Sequence, residues 1–359
     1  MENSEKVKII AVGDPHFQTD NMPEVNLFIE RFLELLNKEK PDFVVILGDL
    51  LHTHERLHTV PLNKAYQFIK KVKDICYTFI LVGNHDMTNN QQFLTENHWM
   101  NGLKEWSNVE IVDKVVKKTF KNKTFVLAPY IPTGRFIEGL DSLGKEEWIN
   151  CDLIFCHQEF YGCKMGAIVS VEGDKWNDSL PQIISGHIHS KQNIGSNIYY
   201  CGSSLQHAFG ESDSNIIPVI ELETDVKKYK LKEVDLELPR KKIIYMDTEN
   251  ILDYKNEKKE GCDKVKITLQ GDYEEFKALK KTKKYQDIIK SGTKIVFKIK
   301  KNKGELEEKL TQLVQKEEYS DFTKILNILI QKEKNEYLHE LYELVVNNRV
   351  ISEKDIIFL

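Results

Sequence analysis

The chain has 359 residues, 41% of them hydrophobic and 30% charged, with a net charge of −5, which excludes an intrinsically disordered chain and suits about two domains. No apolar run approaches the ~18 residues that span a bilayer, and residues 1–6 lack the apolar stretch of a secretory signal peptide. The six cysteines form no C-x-x-C pair, which argues against a disulfide framework and for reduced thiols. We therefore expect an intracellular protein, cytoplasmic or nuclear, without a membrane partner.

The first half of the chain alternates short apolar runs with helical periods. Buried strands are predicted at Val7–Val12, Phe43–Leu47 and Tyr77–Val82, and the apolar spacing from Pro23 predicts a helix. This alternation is typical of an α/β domain with a largely parallel sheet. Further strands are predicted at Thr124–Ala128, Leu153–Cys156, Gln182–Ser185, Ile198–Cys201 and Ile216–Leu222.

The sequence divides into three predicted segments. The α/β pattern fills residues 1–235. Two strand-like pieces and a polar helix near Tyr273–Lys284 predict a small α+β domain at 236–303. Apolar stripes at helical spacing predict helices within 304–359, a segment that could bind a partner protein.

The second of these segments is strongly basic. Residues 227–303 carry 23 basic against 13 acidic residues, whereas residues 1–226 carry 21 against 31. A basic segment is typical of contact with phosphate backbones, although a solvated lysine-rich surface gives the same count. Only five of the 51 basic residues are arginines, so the contact would rely on lysine charge. The candidate nucleic-acid-binding residues are Lys280, Lys281, Lys283 and Lys284.

Five polar motifs each follow a predicted strand. They are Asp14-Pro-His16, Gly48-Asp49, Gly83-Asn84-His85-Asp86, Cys156-His157 and Gly186-His187-Ile-His189. Because α/β sheets gather ligands beyond the carboxyl ends of their strands, we expect these loops to converge. Residues two apart in an extended chain point the same way, which pairs Asp14 with His16 and His187 with His189. The candidate metal ligands are Asp14, His16, Asp49, Asn84, His157, His187 and His189.

This donor set mixes carboxylate, amide and imidazole groups and contains no thiolate. Seven ligands are too many for one structural zinc, which takes four, but they suit two cations of intermediate hardness such as Mn²⁺, with Fe or Zn as alternatives. Such a pair, bridged by a carboxylate at about 3.5–4 Å, activates water and neutralises a phosphate under attack. Asp49, alone at its strand end, is the candidate bridge.

A phosphate ester also needs a proton donor for its leaving oxygen. His85 adjoins a ligand but is itself uncommitted, so it is the candidate catalytic acid. His52, three residues beyond Asp49, could bind the phosphate or tune the donor. No role is assigned to the remaining histidines, which are His54, His58, His98, His207 and His339.

The ordered motif set resembles that of the calcineurin-like metallophosphoesterases. Gly48-Asp-Leu-Leu-His52 is similar to the Gly-Asp-x-x-His of SbcD-type nucleases, which supply the nuclease activity of the SbcCD/MRN double-strand-break repair complexes. The stretch Tyr200–Glu211 is similar to the one that follows the last metal motif in that family, and His157-Gln-Glu-Phe-Tyr-Gly resembles the phage members most. The resemblance covers about residues 6–225.

The resemblance implies an α/β fold, a four-layer αββα sandwich with a small α+β capping domain that contacts DNA and with C-terminal helices. It implies a Mn²⁺-dependent nuclease, a 3′→5′ exonuclease on duplex ends and an endonuclease on single strands. It further implies a homodimer and an SbcC-type coiled-coil ATPase partner bound through residues 304–359.

The family pattern also distributes the site residues between two cations, with His85 as the catalytic histidine. One cation would be held by Asp14, His16, Asp49 and His189. The other would be held by Asp49, Asn84, His157 and His187.

Two other functions stay open on the sequence alone. A small-molecule or nucleotide phosphodiesterase of the same superfamily would share the metal motifs, but it has no need of a basic domain. A non-catalytic scaffold for DNA ends would use the basic domain, but it would be free to lose a ligand. A protein Ser/Thr phosphatase is disfavoured, since that group carries Gly-Asn-His-Glu where this chain has Gly83-Asn-His-Asp86.

Overall fold

The structure is a computed structural model, and it describes residues 6–223, 229–255, 264–299, 322–332 and 336–346. The chain forms two compact units. One comprises residues 1–269 and 278–296, and the other comprises residues 270–277 and 297–359. The domain boundaries expected after residues 235 and 303 stay predictions, and residues 304–321 and 347–359 of the expected helical segment lie outside the described residues.

The first unit contains two six-stranded sheets. The first sheet is built from β1 (Lys6–Val12), β2 (Phe43–Ile46), β3 (Tyr77–Leu81), β4 (Val109–Val112), β13 (Ile217–Glu223) and β14 (Tyr229–Val234). Its order is β14-β13-β1-β2-β3-β4, in which β1 to β4 are parallel and β13 is antiparallel to both of its neighbours.

The second sheet is built from β5 (Val116–Phe120), β6 (Lys123–Leu127), β7 (Leu153–His157), β10 (Ile183–Gly186), β11 (Gln192–Ile194) and β12 (Ile198–Tyr200). Its order is β11-β12-β10-β7-β6-β5, and the four central strands are parallel. A short separate hairpin follows β7 and consists of β8 (Lys164–Met165) and β9 (Ile168–Val169).

Alternating side chains of the central strands reach different cores, because successive residues of a strand point to opposite faces. In β1, Val7, Ile9 and Ala11 pack between the two sheets, together with aromatic residues from both. Ile10 and Val12 pack on the opposite face of the first sheet. Both faces are therefore buried, which explains why β1 is a nearly continuous apolar run.

Helices and loops cover the outer faces of the two sheets. On the first sheet lie α1 (Met22–Glu39) and α2 (Thr59–Lys73), whose Phe28, Phe32 and Phe68 enter the core. Pro23 stands in the first turn of α1, and the helix ends where Lys40 adopts φ 48°. The second sheet is covered by the five-residue α3 (Phe136–Leu140) and by loops. The layers thus follow the expected αββα order, and the α/β fold class is confirmed.

The basic segment forms a three-stranded sheet in the order β15 (Lys241–Asp247), β16 (Lys264–Gly271) and β17 (Lys294–Ile299). The polar helix expected near Tyr273–Lys284 is confirmed as α4 (Tyr273–Lys280), but it ends four residues earlier and is followed by a second helix that was not expected, α5 (Lys283–Lys290). Thr282 separates them, and its hydroxyl caps α5 by accepting the N–H of Tyr285 at 3.2 Å.

Two further helices lie near the end of the chain, α6 (Phe322–Lys332) and α7 (Glu336–Val346), and they contact each other. They coincide with two of the apolar stripes seen in the sequence. Across the part of the chain that the structure describes, no helix is both long and apolar enough to cross a membrane.

Candidate metal centre

The carboxyl ends of five strands meet at one site. Strands β1, β2 and β3 are neighbours in the first sheet, and β7 and β10 are neighbours in the second. Each of them ends next to at least one of the predicted ligands. The structure brings all seven together, namely Asp14, His16, Asp49, Asn84, His157, His187 and His189.

A first group of donors consists of Asp14, His16 and His189, whose ligand atoms lie within 4.8 Å of one another. His16 Nε2 is 3.0 Å from His189 Nε2, and Asp14 Oδ2 is 4.0 Å from the same His189 atom. Asp14 and His16 are fully buried, and His189 is one-third exposed. The group is therefore open to solvent only on the side of His189.

A second group consists of Asp49, His157 and His187, joined by Asn84. His157 Nε2 lies 3.3 Å from Asp49 Oδ2 and 3.3 Å from His187 Nδ1. Asn84 Oδ1 lies 3.0 Å from His157 Nε2 and 2.9 Å from His187 Nδ1. Four side chains from four different strand ends thus present one donor atom each to the same small volume.

Asp49 lies between the two groups. Its Oδ2 is 3.3 Å from His157 Nε2 in the second group and 3.6 Å from His16 Nε2 in the first. Its Oδ1 accepts the backbone N–H of His85 at 2.8 Å. This placement is the one required of a carboxylate shared by two cations.

The donors fit a pair of divalent cations. Ligands on adjacent corners of an octahedral cation with bonds of about 2.1 Å are about 3 Å apart, which is the spacing observed here. His16 Nε2 and His189 Nε2 face each other at 3.0 Å, and Asp14 Oδ2 is buried with no hydrogen-bond partner in the described structure. Two ring nitrogens this close need a proton or a cation between them, and a buried carboxylate oxygen without a partner is unfavourable unless a cation lies beside it.

The backbone at the site is strained. Four of the seven residues have positive φ angles, namely Asp14 (31°), His16 (42°), Asp49 (49°) and His187 (77°). Non-glycine residues in this region cost about 1–3 kcal/mol each and concentrate at functional sites. The extended-chain reason for pairing Asp14 with His16, and His187 with His189, is therefore wrong, because Asp14, His16 and His187 have left-handed rather than extended backbone.

Glycines next to the ligands permit this packing. A Cβ on Gly48 would lie 2.6 Å from His157 Nδ1, and one on Gly83 would lie 2.2 Å from Asp49 Oδ1. A Cβ on Gly186 would lie 2.6 Å from Asp14 Oδ1. The glycines of these motifs are needed because ligand side chains from other strands touch their backbone.

Further contacts fix the orientation of the imidazole rings. His157 Nδ1 lies 2.7 Å from the carbonyl oxygen of Leu47 and donates a hydrogen bond to it, which leaves the lone pair of Nε2 facing the site. His189 Nδ1 lies 3.3 Å from Glu211 Oε1. Such contacts behind a ligand set both the tautomer and the direction of the lone pair.

The buried carboxylates and imidazoles of the site shift one another's pKa values. Burial raises the pKa of Asp49, but His157 and His16 outweigh it and hold that pKa well below its usual value. Burial lowers the pKa of His157, yet Asp49 and Asp14 raise it to about 9. Burial and the nearby His157 lower the pKa of His187 to about 3, so His187 is neutral and able to act as a ligand at physiological pH.

Three histidines stack beside the first group. The backbone N–H of His85 is held by Asp49, and His85 Nδ1 donates to the carbonyl oxygen of His52 at 2.6 Å. His85 Nε2 is therefore the atom free to carry a transferable proton. The ring of His52 lies 5.7 Å from that of His85 at an angle of 14°, and the ring of His54 lies 4.4 Å away at 20°.

Sequence reasoning missed several residues at the site. His54 and His207, which received no role, both lie there: His207 donates from Nε2 to the carbonyl oxygen of Asp14 at 2.9 Å. Glu211 lies behind His189, and Asp86 is buried and accepts the backbone N–H of Gly83 at 3.1 Å. The sequence did point to three of these residues. Asp86 is the last residue of the motif Gly83-Asn84-His85-Asp86, and His207 and Glu211 belong to the stretch Tyr200–Glu211.

The predicted lysines lie elsewhere: Lys280 ends α4, Lys281 lies on the turn that follows, and Lys283 and Lys284 begin α5. Lys280, Lys281 and Lys283 are exposed, and Lys284 is half-buried. Their role, like the roles of the individual site residues, stays a prediction.

The family of the chain follows from comparison with known proteins. Residues 7–191 match the model of the family described as calcineurin-like phosphoesterase, and this stretch contains all seven donors. The chain belongs to this family, whose members use divalent metals, and the two groups of donors could hold a dinuclear metal centre.

Two viral proteins are similar along most of the chain, and both carry the provisional name phosphoesterase. Protein 078R of Invertebrate iridescent virus 3 is 46% identical over 305 residues, which cover 84% of this chain and 86% of that protein. Protein 244L of Invertebrate iridescent virus 6 is 49% identical over 279 residues, which cover 77% of this chain and 98% of that protein.

A weaker similarity links the chain to SbcD, the D component of the nuclease SbcCD, from Staphylococcus saprophyticus. The two are 24% identical over 244 residues, which cover 57% of this chain and 63% of that protein. The comparisons thus establish a metallophosphoesterase and leave its substrate open.

Proposed function

We propose that this chain is a two-metal DNA nuclease that acts as a 3′→5′ exonuclease on duplex ends and as an endonuclease on single strands, in double-strand-break repair or recombination. The observation that carries the proposal is the position of Asp49. Its Oδ2 adjoins both donor groups, while its Oδ1 holds the backbone of His85, so one carboxylate links both cation positions to the proton donor.

The ligand assignment follows the geometry of the two groups. Asp14, His16, His189 and Asp49 would hold one cation, and Asn84, His157, His187 and Asp49 would hold the other. When bound, two divalent cations supply Lewis acidity that activates water and neutralises the phosphate during attack. We propose Mn²⁺ because the donors are a mixture of oxygen and imidazole nitrogen without thiolate.

His85 would donate the proton to the leaving oxygen. Its backbone is fixed by Asp49, and its Nδ1 is fixed by the carbonyl oxygen of His52. Only Nε2 is left to exchange a proton, and general acid catalysis of this kind contributes about 10²–10⁴-fold to a rate. His52 stands beside it, with its ring 5.7 Å from that of His85, where it would bind the phosphate or tune the proton donor.

The choice of DNA rests on the basic segment and on the similarity to SbcD. Residues 227–303 carry ten more basic than acidic residues, whereas a small phosphodiester presents a single charge. We assign contact with DNA phosphates to Lys280, Lys281, Lys283 and Lys284. Binding through lysines releases counterions, so affinity should fall steeply with salt, by about −0.9 in the log–log slope per neutralised phosphate.

We also propose a homodimer and an SbcC-type coiled-coil ATPase as the partner of the C-terminal helices. Helix α6 exposes Leu329, and helix α7 exposes Leu338 and Leu341. Apolar side chains exposed along helices are suited to docking on another helix.

The first experiment compares substrates. Wild-type protein and His85→Ala are assayed with Mn²⁺ on end-labelled duplex DNA, on circular single-stranded DNA and on bis(p-nitrophenyl) phosphate. We expect wild type to degrade both DNAs and His85→Ala to be slower by about 10²-fold or more with unchanged Mn²⁺ binding. His58→Ala is the control, since His58 is exposed and precedes α2.

The outcomes separate the open functions. Hydrolysis of the small ester without DNA cleavage would identify a small-molecule phosphodiesterase. Binding of DNA without hydrolysis of any substrate would identify a scaffold. Either result refutes the nuclease.

A second experiment tests the lysines by reversing their charge to glutamate. The quadruple variant should lose DNA degradation and keep hydrolysis of the small ester. An equal number of exposed lysines in the acidic part of the chain provides the control, namely Lys38, Lys70, Lys71 and Lys114. If both activities fall together, or if the control variant loses DNA degradation equally, the assignment of these four lysines is wrong.

A further inference from the structure

The segment that follows the last metal motif lies directly behind the first donor group. Glu211 Oε1 is 3.3 Å from His189 Nδ1. Its other oxygen, Oε2, accepts the backbone N–H of His207 at 2.8 Å and that of Ala208 at 2.9 Å. The carboxylate is thus held by two backbone donors while it faces the ring of a predicted ligand.

His207 contacts the other members of the same group. Its Nε2 donates to the carbonyl oxygen of Asp14 at 2.9 Å, and its ring meets that of His16 edge to face at 4.8 Å. Glu211 and His207 together therefore touch Asp14, His16 and His189, the whole first group.

The second donor group is oriented differently. Its His157 donates from Nδ1 to a backbone carbonyl oxygen, that of Leu47, which is neutral. The first group is oriented by a charged side chain and the second by the backbone, so removing the charged side chain should weaken only one of the two cation positions.

Glu211 lies in a segment that hydrogen bonds hold to the start of strand β15. Gln206 accepts the backbone N–H of Lys241 through Oε1 at 2.6 Å and donates from Nε2 to the backbone oxygen of Glu211 at 3.1 Å. Lys241 Nζ in turn donates to the carbonyl oxygens of Gln206 and His207 at 2.7 and 2.6 Å. A carboxylate on such a rigid support can orient an imidazole ring.

We propose that Glu211 is the positioning residue that sets the affinity of the cation held by Asp14, His16 and His189. Glu211 accepts a hydrogen bond from the Nδ1–H of His189. It thereby fixes the tautomer in which Nε2 offers its lone pair to the cation, and it makes that nitrogen more basic. This inference rests on the proposed two-metal centre. Losing a contact of this kind costs about 10–100-fold in metal affinity.

The test is a titration of the metal-free 359-residue chain with Mn²⁺ alone, in which calorimetry measures the binding. Wild type should bind two Mn²⁺ ions. In Glu211→Ala one binding class should weaken by about 10–100-fold, while the other changes by less than about twofold. Glu211→Gln should lose less, because its amide oxygen can still accept from His189. The control is Asp213→Asn, which removes an exposed carboxylate two residues away.

Thermal unfolding of the metal-free variants checks that each one folds, and if Glu211→Ala does not, Glu211→Gln decides the question. The proposal is overturned if both binding classes keep their wild-type affinity, if both weaken equally, or if wild type binds fewer than two Mn²⁺ ions. A wild-type chain that binds two ions but cleaves no DNA would refute the nuclease function, while the role of Glu211 would still be decided by the titration.

Discussion

Replacing Gly83 with alanine introduces a single methyl group at the centre of the site. Its Cβ would lie 2.2 Å from Asp49 Oδ1 and 2.4 Å from Asp49 N, where ordinary contact begins at 3.4 Å. The Asp49 carboxylate, which adjoins both donor groups, must therefore move by about 1 Å. A displacement of this size at a catalytic site costs about 10²-fold in rate, and overpacking costs about 1–3 kcal/mol in stability.

We expect Gly83→Ala to fold, with a lower unfolding temperature, and to lose about 10²-fold in kcat for bis(p-nitrophenyl) phosphate with Mn²⁺. Calorimetric titration with Mn²⁺ should show weaker binding in both classes, since Asp49 adjoins both donor groups. The control is Gly102→Ala, because a Cβ there meets no atom within 4 Å. Wild-type activity and Mn²⁺ affinity in Gly83→Ala would refute the reasoning that close backbone packing sets the position of Asp49.

Two further changes have defined outcomes. His98 and Lys104 outweigh burial and lower the pKa of Asp113 to about 2, with Lys104 Nζ at 2.5 Å from its carboxylate. A carboxyl group whose pKa is lower in the folded state stabilises the fold at pH values above its ordinary pKa, near 3.8. As the pH falls from about 4 to 2, the free energy of unfolding should therefore decrease by about 1–2 kcal/mol, after allowing for screening. Replacing His54 with alanine removes the ring stacked on His85 at 4.4 Å and should lower kcat by about tenfold, whereas phenylalanine should restore it.

Denaturant unfolding of wild type and Asp113→Asn at several pH values checks the first of these predictions. The difference in stability should be present at pH 7 and fall steeply between about pH 4 and pH 2, and a constant difference would contradict it. Steady-state kinetics of the His54 variants check the second. Equal activity of the alanine and phenylalanine variants would show that stacking does not position His85.

Short-range patterns were sufficient to predict the strands that carry the site. The run Val7–Val12 is apolar because both faces of β1 are buried, and a polar residue after such a run must leave the sheet at its carboxyl edge. The order of the motifs therefore predicted a common site, and the donor types predicted metal. The break between α4 and α5 was not predicted from the sequence. Thr282 is recognised as the residue that caps α5 only from the hydrogen bond between its hydroxyl and the N–H of Tyr285.

The amino-acid sequence by itself determined which side chains are available, in which strands and with which donor chemistry. The tertiary structure alone decided how they meet, because His16 and His189 are 173 residues apart yet come within 3.0 Å. It also decided that Asp49 adjoins both groups and that Glu211 lies behind His189. These facts depend on left-handed backbone angles and on glycines packed against distant ligands, and neither is encoded in local periodicity.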